Sequence, residues 1–229
     1  MSNIEEIVIQ ELVVISGKGG TGKTSVAASL AVLAGQSVIA DCDVDAADLH
    51  LILSPAIEQR RDFYSGRQAI IRPSDCIGCG DCFSHCRFEA VRLLNGKTDG
   101  PLFVVDPFAC EGCGVCVRIC PVQAIDFSEC RCGELMISST RCGPMVHARL
   151  GVAAENSGKL VSLVRQEARR IAEENGHPRI IIDGPPGIGC PVIASLTGAS
   201  QVLAVTEPTL SGEHDLERLL ALTRPLNIP

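Results

Sequence analysis

The sequence predicts an α/β protein whose parallel sheet is interrupted by a small cysteine-rich α+β module. Three observations lead there. Hydrophobic residues make up 46 % of the 229 residues but aromatics only 3 %, so the core is built from Val, Ile, Leu and Ala, as buried parallel strands are. β-Branched runs alternate with helix-like stretches towards both ends of the chain. Between them, from Asp62 to Cys132, lie most of the 13 cysteines.

The elements follow in order. Residues 7–16 (IVIQELVVIS) read as a buried strand, 23–34 (KTSVAASLAVLA) as an Ala-rich helix, and 37–41 (SVIAD) as a second strand. Residues 62–132 carry short strand-like pieces, Gly and Pro, with no long helix. They contain a repeat, 76–91 (CIGCGDCFSHCRFEAV) against 110–125 (CEGCGVCVRICPVQAI), which signals one structural unit used twice. An amphipathic helix is expected over 157–174, ended by His177–Pro178. Strands follow at 179–183 and 201–206, and a helix at 212–223. The expected organisation is one α/β domain (1–61 and 133–229) carrying an inserted module (62–132).

Composition narrows the function. A net charge of −7 disfavours a nucleic-acid partner, because phosphate binding needs a basic face. The N-terminus MSNIEEIVIQ has no basic segment followed by a long apolar one, so no signal peptide is expected. No run is long enough to span a bilayer, and no stable membrane anchor is expected. Cysteines at metal-ligand spacing without a signal peptide read as metal binding in a reducing compartment rather than disulfides. The expected location is the cytoplasm.

Residues 17–24 read GKGGTGKT after a strand and before a helix, which fits the phosphate-loop pattern in its required context. Gly17, Gly19, Gly20 and Gly22 let the backbone curl so that N–H groups of the loop, Thr21 included, face phosphate oxygens. The helix N-terminus, with Ser25 in its first turn, adds partial positive charge. Lys23 reaches the β/γ-phosphates and Thr24 offers its hydroxyl to Mg²⁺. Asp183 ends the apolar strand of IIIDGPPG, where a carboxylate is placed to hold Mg²⁺ through water. A helix cap or turn is the plainer role for Asp183; the Gly-Pro-Pro-Gly that follows suits a rigid switch loop better.

Cys76, Cys79, Cys82 and Cys86 follow C-x2-C-x2-C-x3-C, and Cys110, Cys113, Cys116 and Cys120 repeat it. This is the two-cluster bacterial ferredoxin spacing, in which the fourth cysteine of each run serves the other cluster. Cluster one would take Cys76, Cys79, Cys82 and Cys120; cluster two would take Cys110, Cys113, Cys116 and Cys86. Zinc is the competing metal, but the crossed octet is more specific to iron–sulfur. Arg87 replaces the proline expected after Cys86, whereas Pro121 follows Cys120. Of the remaining cysteines, Cys42 reads as a small buried residue, and the Cys130-x-Cys132 pair as packing or a further metal site.

The extra lysine in KGGTGKT makes the loop resemble that of the MinD/ParA/Mrp superfamily, which includes the nitrogenase iron protein. The resemblance covers nearly the whole chain outside the module. It implies an ATPase, slow or partner-stimulated, that forms a homodimer on binding ATP, with Lys18 reaching into the partner's site. It implies catalytic roles for Asp41 and Asp43 of the Asp-Cys-Asp segment, with Asp41 near Mg²⁺ and the attacking water. It also places 206–215 (TEPTLSGEHD) near the nucleotide, with Asp45 and Asp48 as solvated alternatives. Cys190 lies seven residues after Asp183, an offset that resembles the cluster cysteine of the nitrogenase iron protein, so Cys190 and Cys142 become candidates for a metal bridging a dimer. The resemblance further implies a strand, an adenine-recognition segment and helices after LTRPLNIP, which this sequence does not contain.

The leading expectation is an ATP- and Mg²⁺-binding iron–sulfur protein that couples nucleotide-driven switch and dimer changes to electron transfer through two [4Fe–4S] clusters, with a redox or iron–sulfur acceptor protein as partner. The alternatives are an iron–sulfur cluster carrier and a MinD/ParA-like positioning ATPase.

Overall fold

The computed structural model describes residues 8–94, 102–151 and 157–229. It divides into two compact units, one of residues 1–63 with 133–229 and one of residues 64–132.

The first unit is built on a parallel sheet. Strand β1 (Gln10–Ser16) leads through a glycine loop into helix α1 (Lys23–Ala34) and then strand β2 (Val38–Asp41). The first expected strand begins earlier, at residue 7, which lies outside the described residues. Helix α1 is favoured by its alanines and stops at Gly35, whose φ of 68° a side chain would strain. After the short helix α2 (Leu49–Leu53), strand β3 (Ala56–Ile71) runs out into the second unit, and strand β6 (Ile125–Thr140) returns. Strand β7 (Gly143–Leu150), helix α5 (Ser157–Asn175), strand β8 (Arg179–Pro186), helix α6 (Cys190–Leu196), strand β9 (Gln201–Val205) and helix α7 (Leu210–Thr223) complete the unit.

The seven-stranded sheet is ordered β3-β6-β7-β2-β8-β1-β9. Strands β7, β2, β8, β1 and β9 are all parallel, and β6 is antiparallel to β7. Strand β1 lies between β8 and β9 with Val13, Val14 and Ile15 fully buried, as a strand covered on both faces requires. On α5 the buried residues Leu160, Val161, Val164, Ala168, Ile171 and Ala172 recur at helical spacing. Burying the four larger of these contributes roughly 6–12 kcal/mol before entropy is charged.

The second unit is thinner. It holds the short helices α3 (Asp81–Ser84) and α4 (Val115–Ile119) and an antiparallel hairpin of β4 (Val91–Leu94) and β5 (Leu102–Val105). Its core is Ala69, Ile71, Cys82, Val91, Phe103 and Ile125, with Cys76, Cys86, Cys110, Cys116 and Cys120 packed around it. Cysteine thus makes up much of the wall of this unit.

Candidate nucleotide and iron–sulfur sites

The glycine loop sits at the carboxyl end of the parallel strands, where α/β folds bind ligands. Gly20 and Gly22 have φ of 81° and 84°, a region open to glycine at no steric cost. A Cβ at Gly19, Gly20 or Gly22 would meet nothing within 4 Å, so side chains there would fill the hollow meant for a ligand. Together with Lys23, Thr24, Ser25, Asp43, Asp48 and Pro186 these glycines line one open cleft.

Lys23 organises the cleft. Its Nζ donates to Asp183 Oδ1 at 2.6 Å and lies 3.4 Å from Asp43 Oδ2, and the lysine is only 5 % exposed. Asp41 is wholly buried at the end of β2, and its Oδ1 accepts from the Asp43 N–H at 3.2 Å. Strand register sets Asp41 beside Asp183 on β8. Three carboxylates therefore crowd one ammonium. Burial, then the neighbouring Asp183 charge, holds the Asp41 carboxyl well above the usual carboxylate range. Burial likewise raises Asp43 and Asp183, with Lys23 opposing it in both. Asp41 Oδ2 and Asp183 Oδ2 are buried without a hydrogen-bond partner, an arrangement that costs free energy unless a cation supplies the missing charge. These oxygens, with the Thr24 hydroxyl that lies 3.5 Å from Lys23 Nζ, fit a hard cation such as Mg²⁺.

Lys18 points elsewhere. Its Nζ pairs with Glu207 Oε2 at 2.7 Å and approaches Ser211 Oγ at 3.5 Å. The segment after β9 is thus folded against the loop, and a Cβ at Gly17 would lie 2.4 Å from Asp215 Cβ. The segment after Asp183 is tied to β1 by the Gly187 N–H donating to the Ser16 carbonyl at 2.9 Å. A Cβ at Gly184 would meet Ile15 Cγ2 at 2.7 Å, so this stretch packs tightly on the central strand.

In the second unit the cysteines gather around two small voids. The first is lined by Cys76, Cys79, Cys82 and Cys120, the second by Cys110, Cys113, Cys116 and Cys86. Each void takes three cysteines of one run and the fourth of the other. Gly80 and Gly114 cap the two short helices with φ of 81° and 71°, so the repeat in sequence is a repeat in backbone. Four thiols around an apolar hollow are the donor set of an iron–sulfur cubane.

The profile of the 4Fe-4S dicluster domain matches residues 69–127. The uncharacterized protein MJ0578 of Methanocaldococcus jannaschii is 34 % identical over 224 residues, which is 96 % of this chain and 76 % of that protein. The chain belongs to the MJ0578 family. MJ0579 of the same organism is 26 % identical over 222 residues, covering 94 % of this chain and 76 % of its own length. Among solved structures, the septum site-determining protein MinD from Pyrococcus horikoshii, complexed with Mg-ADP, aligns with 96 % of this chain and 67 % of its own at 15 % identity and a TM-score of 0.46. Apo McdA from Cyanothece aligns with 95 % and 66 % at 17 % identity and a TM-score of 0.48. The matched 4Fe-4S dicluster domain falls between the two parts of the α/β unit in sequence. Among the described residues no helix is long and apolar enough to cross a membrane.

The structure gathers Lys23, Asp41, Asp43 and Asp183 in one place, but it separates Cys142 from Cys190. Cys142 lies between β6 and β7 at the amino edge of β2, packed against the cluster of Ala28, Ile39 and Met145. Cys190 opens α6 beyond the carboxyl end of β8 and is exposed. The two lie at opposite ends of the parallel strands, so a single chain does not bring Cys142 and Cys190 together. Cys42 is fully buried, as expected, and its N–H donates to the Asp183 carbonyl at 2.8 Å. Sequence reading missed Glu207 as the partner of Lys18; an acidic residue within TEPTLSGEHD was the available signal.

Proposed function

We propose that this chain is a MinD/ParA-type ATPase that couples binding and hydrolysis of MgATP to electron transfer through two [4Fe–4S] clusters. The observation that carries the reading is the buried Lys23–Asp183 pair, with two orphaned carboxylate oxygens beside it. Lys23 exchanges its carboxylate partners for the β/γ-phosphates when nucleotide enters. Loop N–H groups hold the phosphates, with the Gly22–Lys23 peptide at the start of α1 adding the helix dipole. Thr24, Asp41 and Asp183 would hold Mg²⁺, which would supply charge neutralisation for the transferring phosphoryl group. Asp41 and Asp43 orient the attacking water. Asp183 passes the state of the site to Gly184–Gly189, because that segment is anchored to β1 through Gly187. In an ATP-bound homodimer Lys18 leaves Glu207 and enters the partner's site.

Cys76, Cys79, Cys82 and Cys120 hold one cluster, and Cys110, Cys113, Cys116 and Cys86 the other. Bound there, the clusters supply one-electron redox chemistry to an acceptor protein. Protein purified without oxygen is expected to carry about eight irons per chain and to bind ATP in a Mg²⁺-dependent way that Lys23→Ala abolishes. Zinc in place of iron, or ATP binding indifferent to Lys23, overturns the reading. Clusters that depart to an apo-acceptor instead of cycling in place would make the chain a carrier.

A further inference from the structure

Two cysteines of the second unit stand outside the eight that line the voids. Cys130 and Cys132 are two apart on β6, so their side chains project from the same face of the strand. Cys132 is buried at 5 % exposure, and its thiol donates to the Ser65 carbonyl at 3.0 Å and, more weakly, to the Cys130 carbonyl at 3.4 Å. The Cys130 thiol is half-buried and interacts with that of Cys132, and burial and this neighbour together push the Cys132 thiol up. The pair is also near a cluster loop. Ser65 is two residues from Arg67 on β3, and a Cβ at Gly112 would lie 2.1 Å from the Arg67 carbonyl oxygen. Phe127, three residues before Cys130, packs on Gly114 of the same loop.

We propose that Cys130 and Cys132 form a redox-active dithiol whose substrate is a disulfide, either of a small thiol compound or of a partner protein. Cys130, the more accessible sulfur, attacks one substrate sulfur as its thiolate, forming a mixed disulfide and expelling the other sulfur as a thiolate that takes a proton. Cys132 then attacks Cys130 Sγ, closing the Cys130–Cys132 disulfide and releasing the substrate's second thiol. Same-face neighbours on a strand are about 6.6–6.8 Å apart, at the upper limit of the Cα separation that a disulfide spans. The closed form is therefore strained and readily reduced, as cycling disulfides are and structural ones are not. Re-reduction takes two electrons and two protons. Reduced [4Fe–4S] clusters held by the two cysteine runs would supply one electron each, and on that source the inference rests on the proposed function.

The test uses full-length protein purified without oxygen. It is equilibrated with mixtures of reduced and oxidised glutathione, alkylated, and read by peptide mass spectrometry, with iron counted on the same sample. The expected result is that Cys130 and Cys132 pass together from doubly alkylated to a single intrapeptide disulfide within that buffer range. Cys132→Ser should accumulate a mixed disulfide with glutathione at Cys130, while the wild type does not. Cys130 and Cys132 that stay fully alkylated in oxidised glutathione, or that each take glutathione separately, overturn the inference. If the iron is present and the pair inert, only this inference falls. If the pair cycles without iron, the proposed function and the electron source fall together, and the exchange chemistry stands.

Discussion

The two candidate sites solve the same problem, burying reactive polar groups, in opposite ways. Around Lys23 the protein supplies its own opposing charges, and the surrounding sheet is a complete aliphatic core. Val13, Ile15, Ile39, Ile180 and Ile182 are buried without help from any ligand. In the second unit the cysteines are the wall themselves, packed on a small core around Ile71, Val91, Phe103 and Ile125. The first site is a scaffold that a ligand visits; the second is a scaffold that a ligand completes.

The largest break in this comparison is expected from iron removal. Chelation, or Cys82→Ser at the buried cysteine of the first void, should collapse the amide-exchange protection of residues 64–132 to that of an unfolded chain, while β1, β2 and β8 keep theirs. Equal loss in both units would remove the distinction. Next is Lys23→Ala, which strands Asp41, Asp43 and Asp183 together. Breaking a buried pair costs about 3–5 kcal/mol, read by denaturant unfolding. Because burial already raises the pKa of all three carboxyls, they take up protons more readily folded than unfolded, so the deficit should shrink as pH falls through the carboxylate range.

A smaller effect tests whether the first unit tolerates its buried polar groups. His147 is buried on β7, bonded to Ser138 Oγ at 2.8 Å, and burial, then the His50 and Arg60 charges, lower its pKa from 6.5 to about 4. The folded state then binds fewer protons than the unfolded one between those values, so stability falls as pH drops from 6.5 towards 4, by up to about 3 kcal/mol. His147→Gln should flatten that part of the stability profile relative to wild type. The smallest effect is expected at the exposed Lys18–Glu207 pair. Glu207→Gln should change monomer stability by about 1 kcal/mol at most, whereas Lys18→Ala should also abolish ATP-dependent dimerisation, as followed by sedimentation.

How much of this was legible in the sequence follows from how local each signal is. The phosphate loop is a strand, a glycine turn and a helix in immediate succession, and the cysteine octet is defined by spacings of two and three residues. Both were readable. The helix at 157–174 was readable because its apolar stripe is strictly periodic. The 16-residue strands β3 and β6 were not. Residues 56–62 are exposed throughout, so AIEQRRD shows no alternation, and β6 is masked by its run of Glu, Cys and Arg. The pairing of Lys23 with Asp183 joins residues 160 apart in sequence, which no local pattern reveals. Nor does a pattern show that Cys142 and Cys190 lie at opposite ends of the parallel strands; that depends on the direction in which β7 runs.

Nucleotide bound at Lys23 is proposed to be felt at the clusters. Electron paramagnetic resonance of the reduced, iron-loaded protein with and without MgATP tests it most directly. The spectrum is expected to shift on adding MgATP in the wild type and not to shift in Lys23→Ala. A wild-type spectrum unchanged by nucleotide that binds would contradict it.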